Sequence, residues 1–233
     1  MLLSAIGRIG HSKNKRKNLA KLILSEGQTY HPLGKYGKAA MARPDAAFYE
    51  RWNLMAPLLL QSGAKNFCDL GCAEGFYVRQ ASQEFGIFSV GIDNDRKRLD
   101  RAIALNLLYE NHQAAFIQME ISSHSLYALP PFDVVACMSL LHHVIFHQGL
   151  EQAEDLLRVL SSKVRKMLFF DMGGPDEQGN EWADSLLMLR GNVDVKITQL
   201  LLRSGFTSVR PLGKTLGYAT NATRTLFTAE PTR

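Results

Sequence analysis

The sequence contains few cysteines and no long apolar run. Its three cysteines are an odd number, too few for a disulfide framework, which favours a reducing cytoplasm. The spacing of Cys68 and Cys72 is not a zinc-binding spacing, and no second pair completes it, so we expect no metal site. No apolar run approaches the roughly 20 residues that a membrane-spanning helix needs. These absences disfavour a disulfide-rich secreted protein and an integral membrane protein.

The basic residues are concentrated near the start of the sequence. Residues 1–43 contain nine Lys or Arg and one acid, whereas the other 190 residues contain 18 bases and 21 acids. Bases follow the mildly apolar first ten residues where a cleavage site would stand, so we expect no secretory signal. Three interpretations of the basic cluster in residues 8–21 stay open. It is a contact for an anionic membrane surface, a contact for RNA phosphates, or a solvated arm.

The most informative stretch is 66–81. Apolar residues lead to Asp69, Gly71, Ala73 and Gly75 then follow at every second position, and an amphipathic run comes next. This pattern predicts a strand, a tight turn and the start of a helix. Small residues let a ligand approach the turn closely, and the amides of the helix N-terminus favour negative ligand groups.

A second acid follows at a suitable distance. Asp93 ends the apolar run 89–93 and lies 24 residues after Asp69. In open α/β sheets, an acid at the end of the second strand and about 20 residues past the glycine turn binds ribose hydroxyls. A carboxylate can accept hydrogen bonds from both hydroxyls at once, so this spacing predicts a ribose site at Asp93.

The turn with its acid resembles the first motif of class I S-adenosylmethionine (SAM)-dependent methyltransferases, an acidic residue followed by Gly-x-Gly-x-Gly, with Ala73 at the middle glycine. The run 132–144 is similar to a second family stretch, Phe-Asp-Val-Val followed by a short strand and Leu-His-His. The resemblance covers roughly residues 50–230. It implies SAM as cofactor and an adenine site at Met119 and Glu120. The cofactor-binding residues we predict are Asp69, Gly71, Cys72, Ala73, Gly75, Phe76, Asp93, Asn94, Met119, Glu120 and Met138.

Strand and helix patterns alternate along most of the chain. Strands are predicted near 66–70, 88–92, 115–119, 132–137, 167–171, 208–212 and 223–229, with helices near 45–60, 76–85, 95–111, 149–161 and 190–204. Such alternation predicts an α/β fold with a mostly parallel sheet and helices on both faces. We expect a seven-stranded Rossmann-like sheet in a methyltransferase domain at 45–233, preceded by a basic helical extension at 1–44.

Candidates for the acceptor end follow the fourth and fifth strands. His142 and His143 come directly after the fourth strand, and either one is a candidate general base or a residue that packs under the next helix. Asp171 ends the fifth strand and either orients a hydroxyl or binds loop amides. The polar segment 173–182 is predicted to be a lid or an acceptor-binding loop. The substrate-binding candidates are Glu181, Trp182, Arg190 and Arg224.

The predicted function is methyl transfer from SAM to an oxygen of a glycan, sugar or other small molecule. The alternatives are a tRNA or rRNA methyltransferase and a non-catalytic binding module. A weaker resemblance in the C-terminal part, including 217–224, connects the chain to bacterial surface-glycan and tRNA wobble-uridine methyltransferases. The family's nitrogen-directed Asn/Asp-Pro-Pro-Tyr motif is absent after the fourth strand, where 138–141 read Met-Ser-Leu-Leu. We expect a cytoplasmic location, with peripheral contact to the inner face of the membrane as an open alternative.

Overall fold

A computed structural model describes residues 17, 18, 20, 29–33, 36, 45–177, 179–216 and 222–232. Within these residues, seven strands form one sheet in the order β3-β2-β1-β4-β5-β7-β6. The strands are β1 Asn66–Leu70, β2 Phe88–Asp93, β3 Ala114–Gln118, β4 Phe132–Met138, β5 Val164–Asp171, β6 Phe206–Leu216 and β7 Thr223–Pro231. Strands β1 to β5 pair in parallel, and β7 pairs antiparallel with both β5 and β6. The predicted fold class is confirmed.

Helices cover both faces of the sheet. They are α1 Asp45–Gln61, α2 Phe76–Phe85, α3 Arg96–Leu108, α4 Ser123–Tyr127, α5 Leu141–Gln148, α6 Leu150–Lys163 and α7 Val193–Arg203, with a 3₁₀ helix at Ala183–Leu189. Successive strand residues point to opposite faces, so each buried strand serves two cores. In β1, Phe67 packs with Trp52 and Met55 of α1, whereas Cys68 belongs to the core that contains Leu156 and Leu160 of α6.

Three short elements were not predicted from the sequence. Helix α5 begins without a side-chain cap, α4 has only five residues, and the 3₁₀ helix is interrupted at Leu186 by a non-helical backbone conformation. Elements of this kind carry weak local signals, because short helices are marginal without tertiary contacts. Helix α7 begins at Val193 rather than at Arg190, because the Asn192 side chain accepts a hydrogen bond from the Val195 amide and caps it there.

The strand order reverses beside β1. Strand β1 lies between β2 and β4, and the chain continues from β1 toward β3 on one side and toward β5 on the other. The connections after β1 and β4 leave the sheet in opposite directions, which opens a crevice at the carboxyl ends of these strands. The predicted cofactor turn, Asp93 and the histidines therefore meet at one edge of the sheet.

Most of the predicted basic extension at 1–44 lies outside the described residues. The described part includes residues 29–33, which lie against the turn and helix that follow β1. The Tyr30 and His31 amides donate to the Glu74 carboxylate at 3.1 Å each, and Pro32 accepts a hydrogen bond from the Arg79 guanidinium. The proposed boundary at 44/45 therefore separates residues that are in direct contact.

Candidate active site

A cavity of about 630 Å³ lies at the carboxyl ends of β1, β2 and β4. One end is lined by the glycine turn and by acids that follow β1 to β3. The other end is lined by residues that follow β4 and by residues near β7. The predicted site residues on its wall are Asp69, Gly71, Ala73, Asp93, Asn94, Glu120, Met138, His142, His143, Trp182 and Arg224.

The turn after β1 has a left-handed backbone at three alternate positions. The φ angles are 74° at Gly71, 45° at Ala73 and 69° at Gly75. The amides of Gly71 and Cys72 donate to the Ile92 carbonyl at 2.8 and 3.0 Å, which fixes the turn to the end of β2. Glycine adopts positive φ without strain, and alanine tolerates it at a modest cost. The turn therefore keeps its shape although Ala73 replaces the middle glycine of the family motif.

The two glycines of this turn have different surroundings. A Cβ on Gly75 would lie 2.4 Å from the Phe116 ring, whereas a Cβ on Gly71 would meet only Leu140 at an ordinary 3.5 Å. We expect Gly75→Ala to lower the free energy of unfolding by about 2–4 kcal/mol, through overpacking and backbone strain. Gly71→Ala should cost about 1–2 kcal/mol, because only the strain applies. Urea denaturation of both variants measures the difference, and equal costs would contradict it.

Two carboxylates stand beside the turn. Asp93 accepts hydrogen bonds from the Ala73 amide through Oδ2 and from the Asp95 amide through Oδ1, each at 2.8 Å. Asp69 is 3% exposed, and its Oδ2 atom has no hydrogen-bond partner within the described residues. Burial, reinforced by the nearby Asp93, raises the pKa of Asp69 well above its ordinary value. An orphaned buried carboxylate oxygen at a cavity wall needs a partner, and a ligand can supply it.

The adenine end predicted after β3 is only partly at the cavity. Glu120 lines it and accepts a hydrogen bond of 2.9 Å from the Asn94 side chain. Met119 packs against the hydrophobic core instead. Three further predicted cofactor residues, Cys72, Gly75 and Phe76, are buried beneath the turn and do not line the cavity.

Asp171 lies in a buried polar network behind the cavity wall. Its Oδ1 atom accepts hydrogen bonds from the Ser139 amide at 2.8 Å and the Ser139 hydroxyl at 3.1 Å. Its Oδ2 atom is 3.0 Å from Nη2 of the buried Arg51, an ion pair without hydrogen-bond geometry. Burial alone would raise the pKa of Asp171, but Arg51, Arg224 and the Ser139 hydrogen bonds hold it below its ordinary value. Of the two sequence-based alternatives, this geometry favours the loop-amide role.

Arg224 extends this network to the predicted lid. Its guanidinium makes a bidentate ion pair with the Glu177 carboxylate, with N–O distances of 2.7 and 2.8 Å, and donates to the Ser139 hydroxyl at 2.9 Å. It also lies 5.5 Å from the Trp182 ring centre. The Trp182 ring covers Gly173, where a Cβ would lie 2.4 Å from the indole. The described residues of 173–182 are therefore attached to β7 through the buried pair of Glu177 and Arg224.

The two adjacent histidines have different environments. His142 is buried, and its Nδ1 atom accepts a hydrogen bond of 3.1 Å from the Gly173 amide. His143 is exposed toward the cavity, and no hydrogen bond within the described residues holds its ring nitrogens. Burial, with neighbouring positive or titratable groups, lowers the pKa of His142 well below its ordinary value and also lowers that of His143. Both rings are therefore neutral near pH 7.

Two predicted substrate residues do not line the cavity: Glu181 and Arg190 are both exposed outside it. Sequence analysis missed several wall residues that the fold brings in from far along the chain, among them Tyr30, His31 and Arg51. The only sequence signal for them was polarity or aromaticity within otherwise ordinary segments. Asp133, by contrast, lies at the opposite end of β4, where it accepts a hydrogen bond from the Lys65 amide.

Two further features are absent from the part of the chain that the structure describes. No helix there is both long and apolar enough to cross a bilayer. Nor do three His, Cys, Asp or Glu side chains come together there in a group suited to a metal ion.

Comparison with solved structures identifies the fold. The bifunctional kinase-methyltransferase WbdD is similar at a TM-score of 0.68 and 20% identity, with 94% of this chain and 46% of that chain covered. EvdMO1 is similar at a TM-score of 0.63 and 16% identity, with 94% of this chain and 48% of EvdMO1 covered. A third similar structure is magnesium protoporphyrin IX methyltransferase (ChlM) from Synechocystis PCC 6803 with S-adenosylhomocysteine (SAH) bound. Its TM-score is 0.59 and its identity is 20%, with 79% of this chain and 83% of ChlM covered. The chain spans about half the length of WbdD and EvdMO1.

The sequence comparisons are narrower. No curated protein matches the chain. A family described as a methyltransferase domain matches residues 67–163, which run from β1 to the end of α6 and include the glycine turn and Asp93. Residues 67–163 therefore match a methyltransferase domain, and the chain has the fold of solved methyltransferases.

Proposed function

We propose that this protein transfers a methyl group from SAM to an oxygen of a glycan, sugar or other small-molecule acceptor. The observation that carries the proposal is that one cavity contains two chemically different ends. The glycine turn, Asp69 and Asp93 line one end, and His143 and Trp182 line the other. A methyltransferase needs this arrangement, because it must align donor and acceptor in line and exclude water.

The residues at the first end fit the cofactor. Asp69 has an orphaned buried oxygen that suits the positively charged methionine part of SAM. Asp93 keeps lone pairs beyond its two amide hydrogen bonds, and these suit ribose hydroxyls. Glu120 and Asn94 would face the adenine of SAM, and Met138 would pack beside the adenine. When bound, SAM supplies a methyl group that is already activated by the sulfonium, so the protein's task is positioning.

His143 is the better candidate for a general base. Nδ1 of His142 accepts an amide hydrogen, so the neutral His142 ring carries its proton on Nε2 and presents a donor rather than a base. His143 has no such constraint, and its lowered pKa keeps it unprotonated near neutral pH. A neutral imidazole at the cavity can accept the proton of an acceptor hydroxyl. His142 would then serve to orient the acceptor oxygen by donating to it.

The charges at the acceptor end favour an uncharged acceptor. Both buried guanidiniums on the cavity wall are already paired, Arg51 with Asp171 and Arg224 with Glu177. Paired buried cations contribute little further attraction for an anion, because their charge is compensated locally. A hydroxyl acceptor is consistent with this balance, and His143 provides the base that it requires.

The test uses labelled methyl donor and a fractionated cell extract, with Asp93→Ala as the control. We expect label in a small-molecule or glycan fraction with the wild-type protein. Asp93→Ala should weaken SAM binding by about 1–3 kcal/mol, because the Ala73 and Asp95 amides lose their acceptor together with the ribose. Labelling should fall in parallel at a SAM concentration below saturation. Label that enters only RNA, or no fraction at all, would contradict the proposed acceptor class.

A further inference from the structure

The short segment 29–33, here called the strap, is fixed across the end of the cofactor turn. Glu74, which lies in the turn between Ala73 and Gly75, is 1% exposed. Its carboxylate accepts the Tyr30 and His31 amides at 3.1 Å, one on each oxygen, and Arg101 lies 3.5 Å away. Hydrogen bonds to a carboxylate are roughly twice as strong as neutral ones. A single buried side chain of the turn therefore positions two consecutive strap residues.

Two other contacts attach the strap to helix α2. The Phe76 amide, at the N-terminus of α2, donates to Nδ1 of His31 at 3.3 Å. The buried Arg79 guanidinium donates to the Pro32 carbonyl at 3.0 Å and to the Glu74 carbonyl. The His31 ring therefore accepts the Phe76 amide, a helix N-terminal amide without an intrahelical partner, and the Arg79 side chain connects Pro32 to Glu74. The position of the strap depends on the same residues that shape the cofactor turn.

The strap also supplies part of the cavity wall. Tyr30 and His31 line the same cavity as Asp69, and the Tyr30 ring meets the Phe48 ring edge-on with 5.8 Å between the ring centres. The guanidinium carbon of Arg98, another wall residue, lies 5.3 Å from the Tyr30 ring centre. An aromatic ring in a cavity whose wall also holds the Asp69 oxygen that lacks a partner within the described residues suits a ligand group that is both apolar and positively charged. The sulfonium and methionyl part of SAM has this character.

We propose that the strap is an integral part of the cofactor site, with Tyr30 as a cofactor-contacting residue and Glu74 as the residue that positions it. This inference rests on the proposed function, because it takes SAM as the ligand of the cavity. It assigns to the N-terminal segment a role in binding the cofactor, and it places that role in residues 29–33 rather than in the basic cluster.

The test is calorimetric titration of the full-length protein with SAH. We expect Tyr30→Ala to weaken binding about tenfold, as for loss of one aromatic wall contact, and Tyr30→Phe to weaken it less than about threefold. Glu74→Gln should weaken binding about tenfold, because an amide can accept only one of the two strap hydrogen bonds. In hydrogen exchange, the Tyr30 and His31 amides should exchange faster in Glu74→Gln than in the wild type.

The matched control is Asp133→Asn. Asp133 is also a buried carboxylate that accepts a backbone amide, at 2.8 Å from Lys65, but it lies at the far end of the sheet. The Asp133→Asn variant should bind SAH with an affinity within about twofold of the wild type, because Asp133 touches neither the strap nor the cavity. The proposal would be overturned if Tyr30→Ala and Glu74→Gln both bound SAH with the affinity of the wild type. If Glu74→Gln fails to fold, the Tyr30 variants decide. A wild-type protein that does not bind SAH would refute the proposed function instead.

Discussion

Replacement of His143 by alanine is expected to lower kcat by about 10²–10⁴-fold, the usual contribution of a positioned general base. The ring lies at the cavity, and no hydrogen bond within the described residues occupies its nitrogens. SAH affinity should stay within about twofold of the wild type, because the glycine turn, Asp69 and Asp93, rather than His143, line the cofactor end of the cavity. Single-turnover kinetics with labelled SAM and the identified acceptor measure the chemical step directly.

The pH dependence gives an independent test of the same role. Burial, with His147 and two arginines, lowers the pKa of His143 from about 6.5, so its basic form persists somewhat below that pH. The wild-type rate should therefore be flat near neutrality and fall only as the pH drops through the lowered pKa. His143→Ala should lose this acid limb, whereas His124→Ala, at an exposed histidine outside the cavity, should keep it. A full rate in His143→Ala would mean that no base is needed.

Asp171→Ala is expected to lower the free energy of unfolding by about 3–5 kcal/mol, the cost of leaving one member of a buried ion pair uncompensated. The variant leaves the Arg51 guanidinium, 2% exposed, without its carboxylate. It also removes the carboxylate that accepts from the Ser139 hydroxyl and amide, although the amide keeps the Asp171 backbone carbonyl as a second acceptor. Urea denaturation followed by circular dichroism measures the loss.

The matched comparison is Glu154→Ala, which breaks an exposed ion pair with Arg203. That change should cost less than about 1 kcal/mol, because water solvates both charges. The contribution of Asp171 also has a defined pH range. Its folded pKa is lowered, so its stabilisation is present above the unfolded pKa of about 3.9 and is lost as the pH falls through the folded pKa. An Asp171→Ala protein as stable as Glu154→Ala would contradict the ion-pair account.

Much of the cofactor end was predictable because its signals are local. Gly71 and Gly75 mark a turn whose backbone needs positive φ, and Asp93 ends an apolar strand. Both features depend on residues close together in the sequence. The strands themselves were predictable because buried parallel strands are continuous apolar runs. The sequence also placed His142 and His143 after β4, where the structure has them.

The division of roles at the acceptor end was not predictable. Arg224 was a substrate-binding candidate in the sequence, yet its charge is paired with that of Glu177, 47 positions earlier. Asp171 was a candidate for orienting a hydroxyl, yet Arg51 from α1 and Ser139 from the end of β4 occupy its oxygens. Such pairings join residues that are distant in the sequence, and no local pattern encodes them.

The sequence by itself determined the alternating α/β order, the glycine turn and the acid that follows β2. These features follow from apolar periodicity and from the conformational freedom of glycine, both of which act over a few residues. Only the tertiary structure decided which polar groups are already satisfied and which still need a partner. Hydrogen bonds and ion pairs form between whichever groups the fold brings within about 3 Å. The structure therefore distinguished His143 from His142, and it brought the strap at 29–33 onto the cofactor turn.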